Sequence, residues 1–354
     1  MPRAFESNSH LAISNVGVLA HRNFQDMFNL TLTMLQNIRE GRVLAVVGPS
    51  RAGKSELLKM LIESLTKGIK PRNEDDVPIL HLEADLSDQQ RMSLKAFTTE
   101  ALERVKHPAF TEYDDLLETH TRTATSLPET RLRPMLIKSL KSRGTIYLIV
   151  DEAHHLLMTK REQLQSDILD ALKNICNKAG VVLVLFGGYT LLKGLFQSAH
   201  FNGRLDILHF QPYTDSKEDT DEYASLLGSY QAVMTLKEPN LLVSNAEEIR
   251  KLYWGTLGAT IDGLRQALSR RIARKARSLD IDDIRASRLP EKALEVVKQD
   301  VRFGAEFFKK LDEEKLKTTK PGKQRAQAKP AKKSKRKPFR KKPARRSPAK
   351  VDVG

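Results

Sequence analysis

The chain has 354 residues, 40% of them hydrophobic, and its 60 lysines and arginines against 44 aspartates and glutamates give a formal net charge of +16. This composition allows a buried core, and the single cysteine, Cys176, excludes a disulfide scaffold and argues against a cysteine zinc site. No apolar run approaches the roughly 20 residues that span a bilayer, and residues 1–9 lack the apolar core of a signal peptide. We therefore expect a cytoplasmic protein that does not contact membranes.

The excess positive charge lies at the end of the chain. Residues 315–354 hold 17 of the lysines and arginines and one acid, and the rest of the chain carries 43 basic and 43 acidic residues. This segment has too few apolar residues to offset the entropy of ordering, so we predict a disordered basic tail. Its charge suits the phosphate backbone of DNA, in contacts that depend on salt but not on base sequence, although a solvated tail without a binding role is the alternative. The candidate DNA contacts are Lys332, Lys333, Arg336 and Arg340.

Apolar strands alternate with helices in the first part of the chain. Strands are predicted at 43–47, 79–84, 146–150 and 181–186, and helices at 24–36, 55–65, 90–105, 127–140 and 163–178. The fourth of these helices follows a capping-box pattern that starts at Ser126. Because the strands are apolar throughout, both faces of the sheet must be covered. The fold class is therefore α/β, with a parallel sheet between two layers of helices.

The pattern changes after Pro212, where predicted helices at 220–227, 246–253 and 260–278 have no strand between them. These features predict five segments. They are an N-terminal segment (1–21), an α/β domain (22–214), a small helical domain (215–300), a linker helix (301–314) and the tail (315–354).

The first strand leads into a sequence that fits the phosphate-loop pattern G-x-x-x-x-G-K-[ST]. The loop consists of Gly48, Pro49, Ser50, Arg51, Ala52, Gly53, Lys54 and Ser55. In such a loop backbone N–H groups surround phosphate oxygens, the lysine reaches the β- and γ-phosphates, and the final hydroxyl ligates Mg²⁺. The strand before the loop and the helix after it provide the required context. The sequence therefore predicts a nucleoside triphosphate site, with ATP and Mg²⁺ as the expected cofactors.

An acidic pair, Asp151 and Glu152, follows the third predicted strand. An aspartate at the end of an apolar strand can hold Mg²⁺, and an adjacent glutamate can polarise the attacking water. Acids at strand ends also start helices, but together with the phosphate loop this pair predicts ATP hydrolysis. The letters Asp151-Glu-Ala-His154 match one helicase class, which requires a second α/β lobe that the later sequence does not provide. We predict that His154 and His155 lie on a helix surface.

Two later positions are candidates for contact with a γ-phosphate. The fourth strand runs into Gly187 and Gly188, after which Thr190 or Tyr189 offers a polar group. A glycine turn with a buried tyrosine is the alternative. Arg204 precedes a short apolar stretch, and it is placed to reach the phosphate of an adjacent subunit or simply to be solvated.

The order and spacing of these motifs resemble an AAA+ ATPase, with the later helices as its lid. Within that superfamily the chain resembles the TniB/TnsC-type transposition ATPases, relatives of the phage regulator MuB, over about residues 22–276. The stretches that carry this resemblance are Val77-Pro-Ile-Leu-His-Leu-Glu-Ala84 with the helix after it, the segment from Leu140 to Leu156, and Leu172-Lys173-Asn174 with the fourth strand.

The resemblance implies an ATPase that forms rings or filaments on duplex DNA without sequence preference, marks a target site and activates a transposase. ATP hydrolysis would then dissolve the assembly. The implied partners are duplex DNA, a transposase, a target-selection protein and further copies of the chain. The surface that faces DNA in relatives corresponds loosely to Lys95 and Thr125.

Two departures from the family concern the nucleotide sensors. Gly187-Gly188-Tyr189 stands where the family often has Gly-Thr-Pro, and the second-sensor arginine is absent, with Arg265 one turn further on.

Two other functions stay open. One is a signalling ATPase switch that acts on a protein partner, and the other is a helicase loader or initiator-like AAA+ protein.

Overall fold

The computed structural model describes residues 21–84, 93–110, 127–157, 162–197 and 203–319. The chain divides into two compact units, residues 1–309 and 310–354. The sheet and the site discussed below belong to the first unit. Of the second unit the structure describes residues 310–319, which are helical.

Five parallel strands form one sheet in the described residues, in the order β2-β3-β4-β1-β5. The strands are β1 (Val43–Val47), β2 (Ile79–Glu83), β3 (Tyr147–Asp151), β4 (Val182–Gly187) and β5 (Leu205–His209). Since all the strands are parallel, their carboxyl ends meet at one edge of the sheet. The phosphate loop after β1 and the acidic pair after β3 therefore lie at this edge, with the end of β4 between them.

Helices surround the sheet and continue beyond it. The helices that cover the sheet are α1 (Arg22–Asn37), α2 (Lys54–Gly68), α3 (Leu94–Arg104), α4 (Glu129–Ser142), α5 (Glu162–Ala179) and α6 (Thr190–Gln197). Those that follow β5 are α7 (Lys217–Gln231), α8 (Leu241–Ser244), α9 (Ala246–Leu252), α10 (Leu257–Ala273), α11 (Ile281–Ala286) and α12 (Glu291–Thr319). None of the helices in the described ranges is long and apolar enough to cross a membrane.

The central strands β1 and β4 have no polar side chain because each face of the sheet has its own core. In β1, Val43 and Val47 point into the core on one face, whereas Leu44 and Val46 point into the core on the other. Helices α1 and α2 cover the second face, and α3 to α6 cover the first. The three-layer α/β architecture predicted from the strand pattern is thus confirmed.

A separate hydrophobic core holds the helices after β5 together. Its centre contains the buried rings of Tyr223, Tyr230 and Tyr253. Two of the buried hydroxyls are paired within this core, Tyr223 with Thr260 and Tyr253 with Ser287, each at 2.7 Å. These helices form the lid that the sequence indicates.

Several boundaries differ from the prediction. β5 and α6 are additional elements, and α4 begins at Glu129, two residues later than the capping-box pattern indicates. The linker helix predicted at 301–314 is part of the longer helix α12, which ends at Thr319. Residues 320–354, which make up most of the predicted disordered tail, lie outside the described residues.

Candidate nucleotide-binding and hydrolysis site

A cleft of about 900 Å³ lies at the carboxyl edge of the sheet, between the sheet and the lid. The phosphate loop, Glu152, His154 and Thr190 line it from the sheet. Helix α10 lines it from the lid. Its volume suits a nucleotide, since small-molecule sites in proteins are commonly about 300–1,000 Å³.

The phosphate loop has the backbone conformation that its glycines predict. Gly53, directly before α2, has a φ of +102°, in the left-handed region that favours glycine. A Cβ at Gly48 would lie 2.6 Å from the carbonyl oxygen of Phe210, so this position also requires glycine. The loop therefore curls tightly over β1 and ends at the N-terminus of α2, where backbone N–H groups and the helix dipole attract phosphate.

The Lys54 side chain is buried within the phosphate loop. Its Nζ donates hydrogen bonds to the carbonyl oxygens of Gly48 and Pro49, at 3.1 and 2.8 Å. Burial lowers the pKa of the ammonium group, whereas the nearby negative charges of Glu152, Asp300 and Asp151 oppose that shift. Lys54 is thus a buried positive charge surrounded by carboxylates, at the position where the motif requires a phosphate ligand.

Asp151 and Glu152 occupy the end of β3 in a strained turn. Asp151 is 8% exposed, and its Oδ1 accepts a hydrogen bond of 2.8 Å from the backbone N–H of Glu152. Glu152 has a φ of +47°, which a residue other than glycine rarely adopts. The turn directs the Glu152 side chain into the cleft, where it lines the same wall as Lys54.

The donor groups present fit a magnesium ion held jointly with a nucleotide. Ser55 lines the cleft, and the negative charge of Asp151 raises the pKa of Lys54 against the larger effect of burial. Among the described residues no group of three His, Cys, Asp or Glu side chains could hold a metal by itself. Mg²⁺ commonly binds one or two protein oxygens together with substrate phosphates, so Ser55 and Asp151 would hold it and the ion would neutralise phosphate charge.

The two histidines lie partly exposed on a helix surface, as predicted, but that surface lines the cleft. His154 Nδ1 is 3.1 Å from Oε2 of Glu152, and His155 Nδ1 donates to the Ala84 carbonyl oxygen at 2.8 Å. The two rings are in contact, with centroids 4.3 Å apart. A short 3-10 helix, Ala153–Leu157, brings them there directly after the Glu152 turn.

Of the two polar groups proposed after β4, only Thr190 faces the cleft. Thr190 is exposed and lines the cleft. Tyr189 is fully buried, and its hydroxyl is paired with His209 Nε2 at 2.7 Å. The alternative of a buried core tyrosine therefore applies to Tyr189.

Arg204 lies at the opposite edge of the sheet from the phosphate loop. Its neighbour Leu205 pairs with Val43 at the amino end of β1, whereas the loop follows Val47 at the other end. Those five residues separate the two edges by roughly 15 Å, at about 3.3 Å per residue. The Arg204 side chain is exposed and lies away from the cleft of its own chain.

The lid contacts the phosphate loop directly. The backbone N–H of Gly258 donates to the Arg51 carbonyl oxygen at 2.8 Å, and a Cβ at Gly258 would approach that oxygen to 2.4 Å. Arg51 also pairs with Asp262 at 2.8 Å. Arg265, the residue near the expected second-sensor position, pairs with Asp262 at 3.5 Å and lines the cleft. The orientation of the lid and the shape of the loop are therefore linked.

One acidic residue of this site lies far from the motifs in sequence. Asp300, on α12, lines the cleft together with Ser50 and Lys54. No local pattern in the sequence marks this residue, because its position depends on how α12 packs.

The candidate DNA contacts are mostly outside the described residues. Lys95 lies in the first turn of α3 and is half-buried. The other candidates, which the structure does not describe, are Thr125, Lys332, Lys333, Arg336 and Arg340.

Comparisons with known proteins agree with this geometry. Residues 37–195 match the family model described as AAA domain. Cdc6p from Pyrobaculum aerophilum superposes with a TM-score of 0.53 at 14% identity, over 80% of this chain and 70% of that one. The ORC2 protein of Aeropyrum pernix, solved in ADPNP–ADP complexes, gives a TM-score of 0.50 at 14% identity, over 74% of this chain. This chain covers 66% of the Aeropyrum protein, just under two thirds of its length, and a comparison with curated proteins finds no match.

The parallel sheet, the phosphate loop, the helices after β5 and the matched AAA domain define the fold class of this protein. It has the P-loop AAA+ fold. The low identities to the two archaeal proteins establish a common fold and do not extend to what those proteins do. The more specific resemblance to transposition regulators stays a prediction.

Proposed function

We propose that this protein is an ATP-dependent DNA-binding switch that assembles on duplex DNA without sequence preference. ATP binding stabilises the assembly, and ATP hydrolysis promoted by Glu152 leads to its disassembly. In the leading form of this proposal, which rests on the family resemblance, the assembly marks a target site and activates a transposase with the help of a target-selection protein.

The contact between Gly258 and Arg51 is the observation that carries this proposal. A nucleotide bound in the loop must change or lock the loop backbone, and the lid is hydrogen-bonded to that backbone at 2.8 Å. The ion pair between Arg51 and Asp262 adds a second link between loop and lid. Nucleotide state can therefore control how the lid is presented to a neighbouring molecule.

The position of Arg204 supports assembly of several copies. An exposed arginine at the amino edge of the sheet is far from its own cleft and available to another one. Arginines supplied in trans stabilise the charge that develops during phosphoryl transfer. On this proposal each cleft is completed by Arg204 of the adjacent copy.

The charge of the tail supports DNA as the surface on which the copies assemble. The segment from 315 to 354 carries 17 cations and one acid, and it includes a single aromatic residue, Phe339. Such a composition suits phosphate neutralisation, whereas base stacking needs more aromatic side chains. Binding without sequence preference is the expected result.

Fluorescence anisotropy with two unrelated labelled duplexes tests the proposal. We expect both duplexes to bind similarly, and to bind more tightly with a non-hydrolysable ATP analogue than with ADP. Lys54→Ala is the matched control, which should show the ADP-like affinity whichever nucleotide is added. Equal affinity of the wild type with both nucleotides would contradict the switch, and the absence of DNA binding would favour a switch that acts on a protein.

A helicase loader or initiator-like role is the second candidate. The similarity of fold to Cdc6p and ORC2 proteins favours this candidate. ATP-dependent recovery of a replicative helicase with the tagged protein would support this candidate. ATP-dependent stimulation of a transposase would support the first.

A further inference from the structure

Helix α12 packs firmly against the sheet next to the nucleotide cleft. Gly304 lets the helix backbone approach Tyr189, where a Cβ would lie 2.2 Å from the ring. One turn later, the ring of Phe308 stacks on His209 with centroids 3.9 Å apart and planes 6° from parallel. Phe303, Phe307 and Phe308 pack against the core on that face of the sheet.

These anchors determine where Asp300 lies. Positions 300, 304 and 308 are separated by four residues, so they share one face of the helix. Since Gly304 and Phe308 hold that face against β4, α6 and β5, Asp300 is directed at the end of the same strands. There it lines the cleft together with Ser50 and Lys54.

The Asp300 carboxylate lies among the groups that would contact a phosphate oxygen in this loop. It lines the cleft together with Ser50 and Lys54, and its negative charge interacts favourably with the positive charge of Lys54. Burial raises the pKa of Asp300, and Lys54 and the Ser50 N–H oppose that rise. One carboxylate of the protein therefore already lies beside the loop.

The position of this carboxylate within the cleft is defined by its neighbours. Asp300 interacts electrostatically with Lys54 and His154, and His154 contacts Glu152. Lys54 and Glu152 are the groups that act on the γ-phosphate in a site of this kind. Asp300 therefore faces the γ-phosphate end of the cleft, where ATP has a phosphate and ADP has none.

We propose that Asp300 is a nucleotide-discriminating residue, which weakens the binding of ATP relative to ADP by competing with the γ-phosphate for the Ser50 N–H and Lys54. ATP can bind only if the Asp300 carboxylate moves away or if the γ-phosphate lies close to its negative charge, and both are unfavourable. ADP has no γ-phosphate and therefore avoids this competition. The wild-type protein thus favours ADP more than the phosphate loop alone would.

Calorimetric titration with Mg-ADP and with a non-hydrolysable Mg-ATP analogue tests this inference. In Asp300→Asn, which keeps the shape and removes the charge, the preference for ADP over the analogue should fall by about fivefold or more, the effect of one close charge pair even when water screens it. Asp300→Ala should shift the ratio in the same direction. Glu306→Gln, an exposed acid on the same helix, is the matched control and should leave the ratio unchanged.

The possible outcomes separate this inference from the site assignment on which it rests. An unchanged ratio in both Asp300 variants, or weaker binding of the ATP analogue, would overturn the discrimination. Failure of the wild type to bind either nucleotide, with Lys54→Ala behaving identically, would instead overturn the assignment of the cleft. Thermal unfolding without nucleotide verifies that the variants are folded before the titrations are compared.

Discussion

The carboxylate of Glu152 and the imidazole of His154 are joined by a hydrogen bond of 3.1 Å at the wall of the nucleotide cleft. This bond is the largest factor that lowers the pKa of Glu152, and the charges of His154, Lys54 and His155 act in the same direction. His154 therefore holds the group that we assign as the base that polarises water. The backbone of His154 lies close to Gly187, because a Cβ added at Gly187 would be 3.2 Å from the backbone nitrogen of His154.

Removal of the His154 ring should impair hydrolysis more than nucleotide binding. His154→Ala leaves the Glu152 side chain free to rotate, and we expect kcat to fall by about tenfold, the value of one hydrogen bond to a charged group. KM for ATP should change little. His154→Asn keeps a donor near the Nδ1 position and should restore much of the rate.

The control for this prediction is His107→Ala, which removes an imidazole that does not line the cleft. If His154→Ala raised KM and left kcat unchanged, or if His154→Asn were as slow as His154→Ala, the positioning role would be refuted.

Two substitutions should separate nucleotide binding from hydrolysis. Lys54→Ala removes the buried positive charge of the phosphate loop and should abolish detectable ATP binding. Glu152→Gln keeps the size of the side chain and should bind ATP normally, while turnover falls by about 100-fold or more because the general base is lost. Steady-state ATPase assays and nucleotide titrations of both variants measure these effects. Wild-type turnover by Glu152→Gln would remove the base assignment.

The buried residue His21 should make the protein sensitive to mild acid. Its Nδ1 accepts the Phe24 N–H at 3.2 Å and lies 3.1 Å from the Tyr213 hydroxyl, and its Nε2 has no partner among the described residues. Burial lowers the pKa of His21 from 6.5 to about 4. Its contribution to stability is therefore present above pH 6.5 and is lost as the pH falls toward 4.

From that shift we expect the free energy of unfolding to fall by about 2 kcal/mol between pH 7.5 and pH 5 because of His21 alone. His21→Asn retains an acceptor at the start of α1 but does not titrate in this range. Chemical unfolding at the two pH values should show a smaller decrease for this variant than for the wild type. An equal decrease in both proteins would assign the acid sensitivity to other groups.

The basic tail should supply affinity for DNA without supplying dependence on ATP. A chain that ends at Thr319 retains the whole of α12 and loses 15 of the lysines and arginines. We expect weaker DNA binding and a flatter dependence on salt, because fewer counterions are released. The ratio of affinities with the ATP analogue and with ADP should persist. Loss of that ratio would show that the tail takes part in the switch itself.

The sequence predicts an element correctly where its local residue pattern matches the burial that the element has in the fold. Continuous apolar runs predict β1, β3 and β4, because each of those strands lies between two cores. β2 is an edge strand whose buried leucines alternate with partly exposed residues. β5 is a strand at the sheet edge, and its residues are mostly only half-buried, so it lacks that signature. The phosphate loop and the acidic pair were predictable because their chemistry requires particular residues at fixed spacing.

Residues that reach the cleft through tertiary packing were not predictable in the same way. His154 has the sequence context of a helix surface, and only the left-handed turn at Glu152 and the close approach of Gly187 bring it into the wall. Asp300 lies 246 positions after Lys54, and its location depends on the contact of Gly304 with Tyr189. Neither effect leaves a periodic or spaced pattern in the sequence.

Under the proposed function, ATP acts through the loop and lid to order copies of this protein on DNA. Negative-stain imaging of the protein with a long duplex and a non-hydrolysable ATP analogue tests this ordering, with ADP and Arg204→Ala as the comparisons. We predict rings or filaments on DNA with the analogue, and their loss with ADP or in the variant. Dispersed single copies with the analogue, or the same assemblies whichever nucleotide is present, would contradict the account.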